Sequence, residues 1–429
     1  MIPHSRRRRF RLFALVAISV ASARGGLAPR VARAQSALQV LHTFAGDPDG
    51  ASPGALIQSV DGNFYGTTRM GGDSSNGTAF QMTPDGTVSI LHWFADGPDD
   101  GKEPEGVLIQ ASDGNFYGTT AKGGTFGKGT VYRMTADGSV TLLYSFAGEP
   151  DGSTPLGGLL QATNGNLYGT TYWGGAFSNG TAFRIALDGS GYAVLHDFAR
   201  GVDGAWPVAS LVQATDGNFY GTTALGGGGA GCGSAGCGTA FHMTVDGVVT
   251  ILHAFNVETD GAGPSGALIE AAPGTFYGTT ASGPSGVGNG TIFQLTLDGL
   301  FATVQIFNGP TDGAFPYTPL IHATDGNFYG TTVGDGGRGC GGIGNGCGTI
   351  FGMLADGSSH SVLYTFTGMA DGYTPEAPLI QATDGNFYGT TSAGGGGMGV
   401  VFRFSLNRPG RGTRRDGGTT ERMTIAGKE

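Results

Sequence analysis

Eight residues, D-G-N-F-Y-G-T-T at 61 to 68, return letter for letter at 113, 216, 325 and 384, and in looser form as N-G-N-L-Y-G-T-T at 164 and P-G-T-F-Y-G-T-T at 273. Their tyrosines, Tyr65, Tyr117, Tyr168, Tyr220, Tyr277, Tyr329 and Tyr388, stand 52, 51, 52, 57, 52 and 59 residues apart. A period of about 50 residues holding several strand-like runs is the signature of propeller blades. The constraint is severe. A chain that writes one segment seven times must find one environment seven times over.

Within residues 54 to 94 four alternating runs read as strands: A-L-I-Q-S, N-F-Y-G-T-T, T-A-F-Q-M and V-S-I-L-H-W-F. They are divided by Asp61-Gly62, a glycine-rich stretch from Gly71 to Gly77, and Asp85-Gly86. Asp-Gly between alternating runs is a strong hairpin signal, because glycine accepts the positive φ of the favoured turns. The 84 glycines in 429 residues fit a fold made of tight turns, and 39% hydrophobic residues leave material for a core. First, second and third strands recur seven times, the last third strand being Val400 to Phe404. Fourth strands also number seven, but the earliest, Leu38 to Phe44, precedes every first strand. The two unmatched ends predict an all-β, seven-bladed β-propeller of four-stranded antiparallel blades, closed by the N-terminal strand in a one-plus-three blade. The glycine in the middle of each N-F-Y-G-T-T strand predicts a neighbouring aromatic ring packed over it.

The extended pattern L-I-Q-A-x-D-G-N-F-Y-G-T-T, G-G, G-T-x-F, D-G, L-x-x-F, D-G-x-x-P resembles the GloVer tandem-repeat family of exported bacterial proteins, over residues 38 to 405. The resemblance implies export and a repeat scaffold, and it carries no catalytic residues over. Members of that family often end in a surface-anchoring segment, whereas residues 407 to 429 here are polar and begin Asn407-Arg408-Pro409. The D-G-N-F-Y segment is also similar to the D-G-N-L-W repeats of virginiamycin lyase-like propellers, whose catalytic residues find no match. Tryptophan-docking repeats and the S-x-D-x-G-x-T-W box are absent from the chain.

Residues 1 to 34 read as an export signal peptide: Arg6 to Arg9 with Arg11, an apolar run from Leu12 to Ala21, then Ala32-Arg33-Ala34. Arg7-Arg8-Arg9-Phe10 also fits a twin-arginine pattern, so the export route stays open. Residues 35 to 405 form the propeller and 406 to 429 a polar disordered tail. The apolar run is too short for a stable membrane span, and the expected location is secreted, periplasmic or at the cell surface. Net charge is −10, yet most Lys and Arg lie before residue 35 or after 405, leaving nine in the body against thirty acidic residues. Such a body repels nucleic acid, and a monomer is expected.

In a ring of repeats, what every blade shares is scaffold and what one blade alone carries is a candidate site. The D-G-x-x-P aspartates, Asp49, Asp100, Asp151, Asp203, Asp260, Asp312 and Asp371, recur in every unit and read as turn caps. They are also the one place where Ca²⁺ could bind; no other cofactor is expected. Cys232 with Cys237 and Cys340 with Cys347 form two local pairs that read as disulfides pinning long loops. A four-cysteine zinc site would need loops a blade apart to converge. His42, His92, His196 and His253 share one fourth-strand position with Tyr144 and Tyr364, which reads as half-exposed packing. Glu270 and His322 interrupt a first-strand row of Gln58, Gln110, Gln161, Gln213 and Gln381 and are the channel candidates for acid and imidazole chemistry. The loops after second strands and the D-G-x-x-P loops fall on one rim, which collects Phe126, Trp173, Phe177, Trp206, Phe315 and Tyr373. Aromatic faces on a rigid frame suit sugars or peptides. The sequence thus reads as an exported binding protein for extracellular carbohydrate or protein. The alternatives are a polysaccharide- or peptide-acting hydrolase or lyase at the channel mouth, or a structural component of the cell envelope.

Overall fold

A computed structural model describes residues 37–229, 231–284, 289–337, 339–340 and 346–406. The expected signal peptide and the tail beyond Leu406 lie outside these residues. Alternating runs bounded by Asp-Gly turns become strands as their period predicts. Blade 1 is built from Ala51–Gln58, Phe64–Met70, Thr78–Met82 and Val88–Trp93, hydrogen-bonded in that order. Blades 2 to 6 repeat the plan over residues 109–145, 160–197, 212–254, 262–306 and 321–365. Blade 7 joins Ile380–Gln381, Phe387–Thr391 and Val400–Ser405 to the N-terminal strand Ala37–Thr43. The two ends run antiparallel, with Val40 opposite Phe402 and Leu38 opposite Phe404. The molecule is a seven-bladed β-propeller with one-plus-three closure.

First strands are shorter than their sequence pattern. Outside blade 1 the ladder with the second strand is as short as Ile109–Gln110, and in blade 5 it is split into Ala262–Pro264 and Ile269–Ala272. Every first strand follows a D-G-x-x-P loop, where proline brings no N–H to the ladder and the residue before it is left-handed, and in blade 1 the strand runs through that loop. In blade 1, for example, Ser52 has φ 53°.

Packing between blades accounts for the repeated octapeptide. Tyr65 of blade 1 stacks on Phe116 of blade 2 at 4.2 Å, and Tyr168 meets Phe219, Tyr220 meets Phe276, Tyr277 meets Phe328 and Tyr329 meets Phe387 at 4.2 to 4.6 Å. Tyr388 returns to Phe64 at 4.3 Å and so joins the last blade to the first. At the remaining junction Leu167 takes the place of phenylalanine. A second layer lies further out. Phe44, Phe94, Phe146, Phe198, Phe255, Phe307 and Phe366, each just beyond a fourth strand, are buried edge-on, or at Phe198 steeply tilted, against a third-strand ring of the next blade. The same third-strand ring covers the mid-strand glycine of its own blade: a Cβ on Gly66 would stand 2.8 Å from Phe80 Cζ. The aromatic over each glycine thus comes from the paired strand within the blade.

The Asp-Gly-Asn turns are fixed by their aspartates. Asp61 accepts hydrogen bonds from Asn63 N, Asn63 Nδ2 and Tyr65 Oη at 2.9 to 3.0 Å, and Asp113, Asp216 and Asp384 repeat the set. Burial alone would raise the Asp61 carboxyl, but the bonds from Asn63 and Tyr65 outweigh it and hold the group below the ordinary carboxylate value.

Candidate functional site

The D-G-x-x-P loops build the rim. Asp49 accepts from Ala45 N at 2.9 Å, capping its turn, and also from His42 Nε2 at 2.9 Å. His92, His196 and His253 reach Asp100, Asp203 and Asp260 at 2.8 to 3.1 Å, and Tyr144 and Tyr364 donate to Asp151 and Asp371. The fourth-strand histidines are half-buried and pack on Phe44, Phe94, Phe198 and Phe255, as the sequence pattern implies, and they are also donors tying each outer strand to the loop that follows it. The row tolerates His and Tyr because either can present an N–H or O–H there. Both oxygens of Asp49 are engaged in this way. Among the described residues no three His, Cys, Asp or Glu side chains gather as a metal ligand set.

Each loop also bonds to two others. Trp206 N donates to Asn179 O of blade 3 and Trp206 O accepts from Ala224 N of its own blade; Ser52 N donates to Met398 O across the closure. The residue before the proline is left-handed in every unit: Ser52, Glu103, Thr154, Trp206, Phe315 and Thr374 have φ from 53° to 61°, and Gly263 has φ 65°. Bulky side chains are uncommon in this region, and holding one there costs on the order of 1–3 kcal/mol. Blades 4 and 6 nevertheless place Trp206 and Phe315 at this position.

Trp206 belongs to the densest aromatic group on the rim. Its ring lies 4.7 Å from Trp173 and 5.3 Å from Tyr172, Tyr172 and Trp173 are 5.0 Å apart, and the Arg200 guanidinium sits 5.8 Å from the Trp206 ring. Trp173 is 41% exposed. The Trp206 indole N–H is buried without an acceptor among the described residues. The structure thus brings Trp173 and Trp206 together. Phe126 and Phe177 stay exposed with no ring contact to this group, Phe315 pairs with Tyr317 at 6.0 Å, and Tyr373 is half-buried beside the Cys340 and Cys347 loop. Tyr172 and Arg200 were missed by the sequence reasoning. A visible signal for Tyr172 was available: it follows G-T-T where the other units carry Arg69, Ala121, Ala224, Ala281, Val333 and Ser392.

At the same end of the channel, between the first strands of blades 7, 1 and 2, lies a cavity of about 270 Å³. Ser52, Pro53, Gly54, Ala55, Arg69, Pro104, Glu105, Glu376 and Ser392 are among its lining residues. Arg69 Nε bonds to Glu105 Oε1 at 2.9 Å. Burial raises the Glu105 carboxyl; Arg69 opposes this, while Glu103 and Glu376 add to it. Neither Glu270 nor His322 lines this cavity.

Those two sit in the inner glutamine row, which joins blades. Gln58 Oε1 accepts from Thr383 N, Gln161 from Ser112 N, Gln213 from Thr163 N and Gln381 from Thr324 N, all at 2.8 Å. Glu270 does the same chemistry with more acceptors: it takes Thr215 N, Thr215 Oγ1 and Gly274 N at 2.7 to 2.9 Å. His322 is exposed, packs on Phe328 at 5.0 Å, and makes no hydrogen bond to Glu270 among the described residues. The cysteines form the two local disulfides, Cys232–Cys237 and Cys340–Cys347, with Cα separations of 5.3 and 5.1 Å.

The Gloeobacter/Verrucomicrobia repeat family model matches residues 13–234 and 109–343. No curated protein matches the chain. Among solved structures, the extracellular domain of BT4673 from B. thetaiotaomicron is similar in fold, with a TM-score of 0.53 and 10% identity over 85% of this chain. The extracellular domain of BT3049 from the same organism gives a TM-score of 0.53 and 12% identity over 91% of this chain. This chain spans 40% and 45% of the length of those two structures, and the likeness is one of fold.

Proposed function

Because the chain belongs to the Gloeobacter/Verrucomicrobia repeat family and closes into a seven-bladed propeller, we propose that it is an exported binding protein that engages extracellular carbohydrate through the Tyr172, Trp173 and Trp206 platform. The observation that carries this reading is the departure from sevenfold symmetry at blades 3 and 4. There a left-handed backbone position holds Trp206 against Trp173 and Tyr172, and Trp173 keeps an exposed ring face. Sugar rings offer C–H faces for such aromatic planes and hydroxyl oxygens for the guanidinium donor of Arg200. Two local disulfides support an oxidising destination. Binding is favoured over hydrolase or lyase chemistry because Glu270, the acid singled out in the channel, is occupied by two backbone amides and a hydroxyl.

A glycan array probed with the purified body, followed by calorimetry on the hits, tests this. Trp173→Ala and Trp206→Ala should each weaken binding by about 1–3 kcal/mol, the range expected when an aromatic contact is truncated. Chelator should leave binding unchanged. Glycan binding that survives both variants rejects the platform.

A further inference from the structure

The cavity on the opposite side of the rim from the tryptophans owes its existence to one residue. The position after the D-G-x-x-P proline is Gly54, Glu105, Leu156, Val208, Ser265, Tyr317 and Glu376 in blades 1 to 7. Only blade 1 lacks a side chain there, and the scaffold does not demand it. A Cβ on Gly54 would meet nothing closer than Thr67 Oγ1 at 3.5 Å, an ordinary contact, and Gly54 is not among the residues of positive φ. The glycine leaves a gap whose two flanks are the glutamates of the neighbouring blades. Glu105 is already paired with Arg69, and Glu103 with Lys122. Glu376 is exposed and has no ion-pair partner among the described residues. The floor is apolar, made by Pro53, Ala55, Pro104 and Ala377.

We infer that this cavity is a binding site for a small organic ligand carrying an ammonium group, with the cation seated between Glu376 and the Arg69–Glu105 pair and the carbon frame on the proline floor. At about 270 Å³ it lies just below the usual range of ligand pockets, about 300 to 1,000 Å³, and suits a single amino acid or monosaccharide unit. Charge favours a cation on two scales. Close by, two carboxylates and one guanidinium line one gap; further out, the body carries thirty acidic residues against nine basic ones. The ammonium could belong to an amino acid or to an amino sugar, and the chemistry that recognises it is shared.

Calorimetry of the full body against L-lysine, 1,5-diaminopentane and D-glucosamine, with 1-pentanol and D-glucose as uncharged counterparts, reads the site and separates the two sources. At least one amine should bind at least about tenfold more tightly than its uncharged counterpart. Gly54→Leu, which fills the gap, and Glu376→Gln, which removes the unpaired charge, should each weaken that binding about tenfold or more. Trp173→Ala should leave it unchanged, so the two sites stand or fall separately. Failure of all three amines to bind, equal binding of the uncharged compounds, or amine binding intact in Gly54→Leu overturns the inference. Should Gly54→Leu fail to fold, Glu376→Gln, at an exposed side chain, decides alone.

Discussion

Ring closure is a claim about energy as well as topology, and one pair of substitutions measures it. Phe44 follows the N-terminal strand, which completes blade 7, yet its ring is buried edge-on against Phe80 of blade 1 at 5.3 Å, and its N–H donates to Gly399 O of blade 7. Phe198 makes the corresponding contact with Phe241 at 5.4 Å in the middle of the chain. Both side chains are essentially inaccessible, at 1% and 0%. A buried aromatic covers roughly 150–250 Å², and at about 25 cal/mol per Å² its removal costs on the order of 4 kcal/mol, within the range of about 3–5 kcal/mol for Phe→Ala in a core. In a closed ring the seam is a junction like any other. Phe44→Ala and Phe198→Ala should therefore cost the same within about 1 kcal/mol. Equilibrium urea unfolding of the two oxidised variants gives the comparison, read as the shift in midpoint at unchanged slope. If Phe198→Ala costs about 4 kcal/mol and Phe44→Ala less than about 1, the first and last blades do not hold each other and the closure argument fails.

Most of the scaffold was legible because each feature was written seven times. Blade number and closure followed from counting strand-like runs, and the mid-strand glycine announced a ring above it. What could not be read was which ring and which partner. Phe80 lies opposite Gly66 in the ladder, and that requires the register of two strands, which the alternation alone leaves free to slide by two residues. The histidines of the fourth strand illustrate a different limit. Composition shows a position shared by His and Tyr, but the common property, a donor within reach of the aspartate seven or eight residues on, appears only when the loop is folded back.

The rim was legible as a place and illegible as a site. Trp173 and Trp206 are 33 positions apart in sequence and belong to different blades, yet the D-G-x-x-P loop of blade 4 bonds to the loop of blade 3 that follows Trp173. Loops from adjacent blades meet at the mouth, so the residues that cooperate come from consecutive repeats. Gly54 was hidden for a further reason. In a chain with 84 glycines one more carries no signal until the other six blades are seen to place a side chain at its position.

Glu270→Ala should cost about 0.5–1.5 kcal/mol by removing three hydrogen bonds at a part-exposed position, and Glu270→Gln, the residue five other blades carry, should cost less but not nothing, because both Glu270 oxygens accept and an amide N–H would face a donor; thermal unfolding ranks the two, and equal losses would show that the acid itself matters. Acid stability offers the last check. The Asp61, Asp113, Asp216 and Asp384 carboxyls are all held below their ordinary value, because bonds from Asn and Tyr exceed the opposing effect of burial. A depressed folded value means that the stabilisation is fully present above the unfolded value of about 3.9 and is lost as pH falls through it toward the folded value. Blade 3 shows how to remove this sensitivity, since Asn164 fills the same turn, accepting from Asn166 N and donating to Tyr168 Oη. Changing the four aspartates to asparagine together removes the charged acceptors and should lower the urea midpoint at pH 7, with a shallower fall in stability between about pH 5 and pH 2. An unchanged fall would place the acid lability elsewhere, first in the Asp100 loop, where His92, Ala95 N and Gly101 N hold another carboxyl down against its burial.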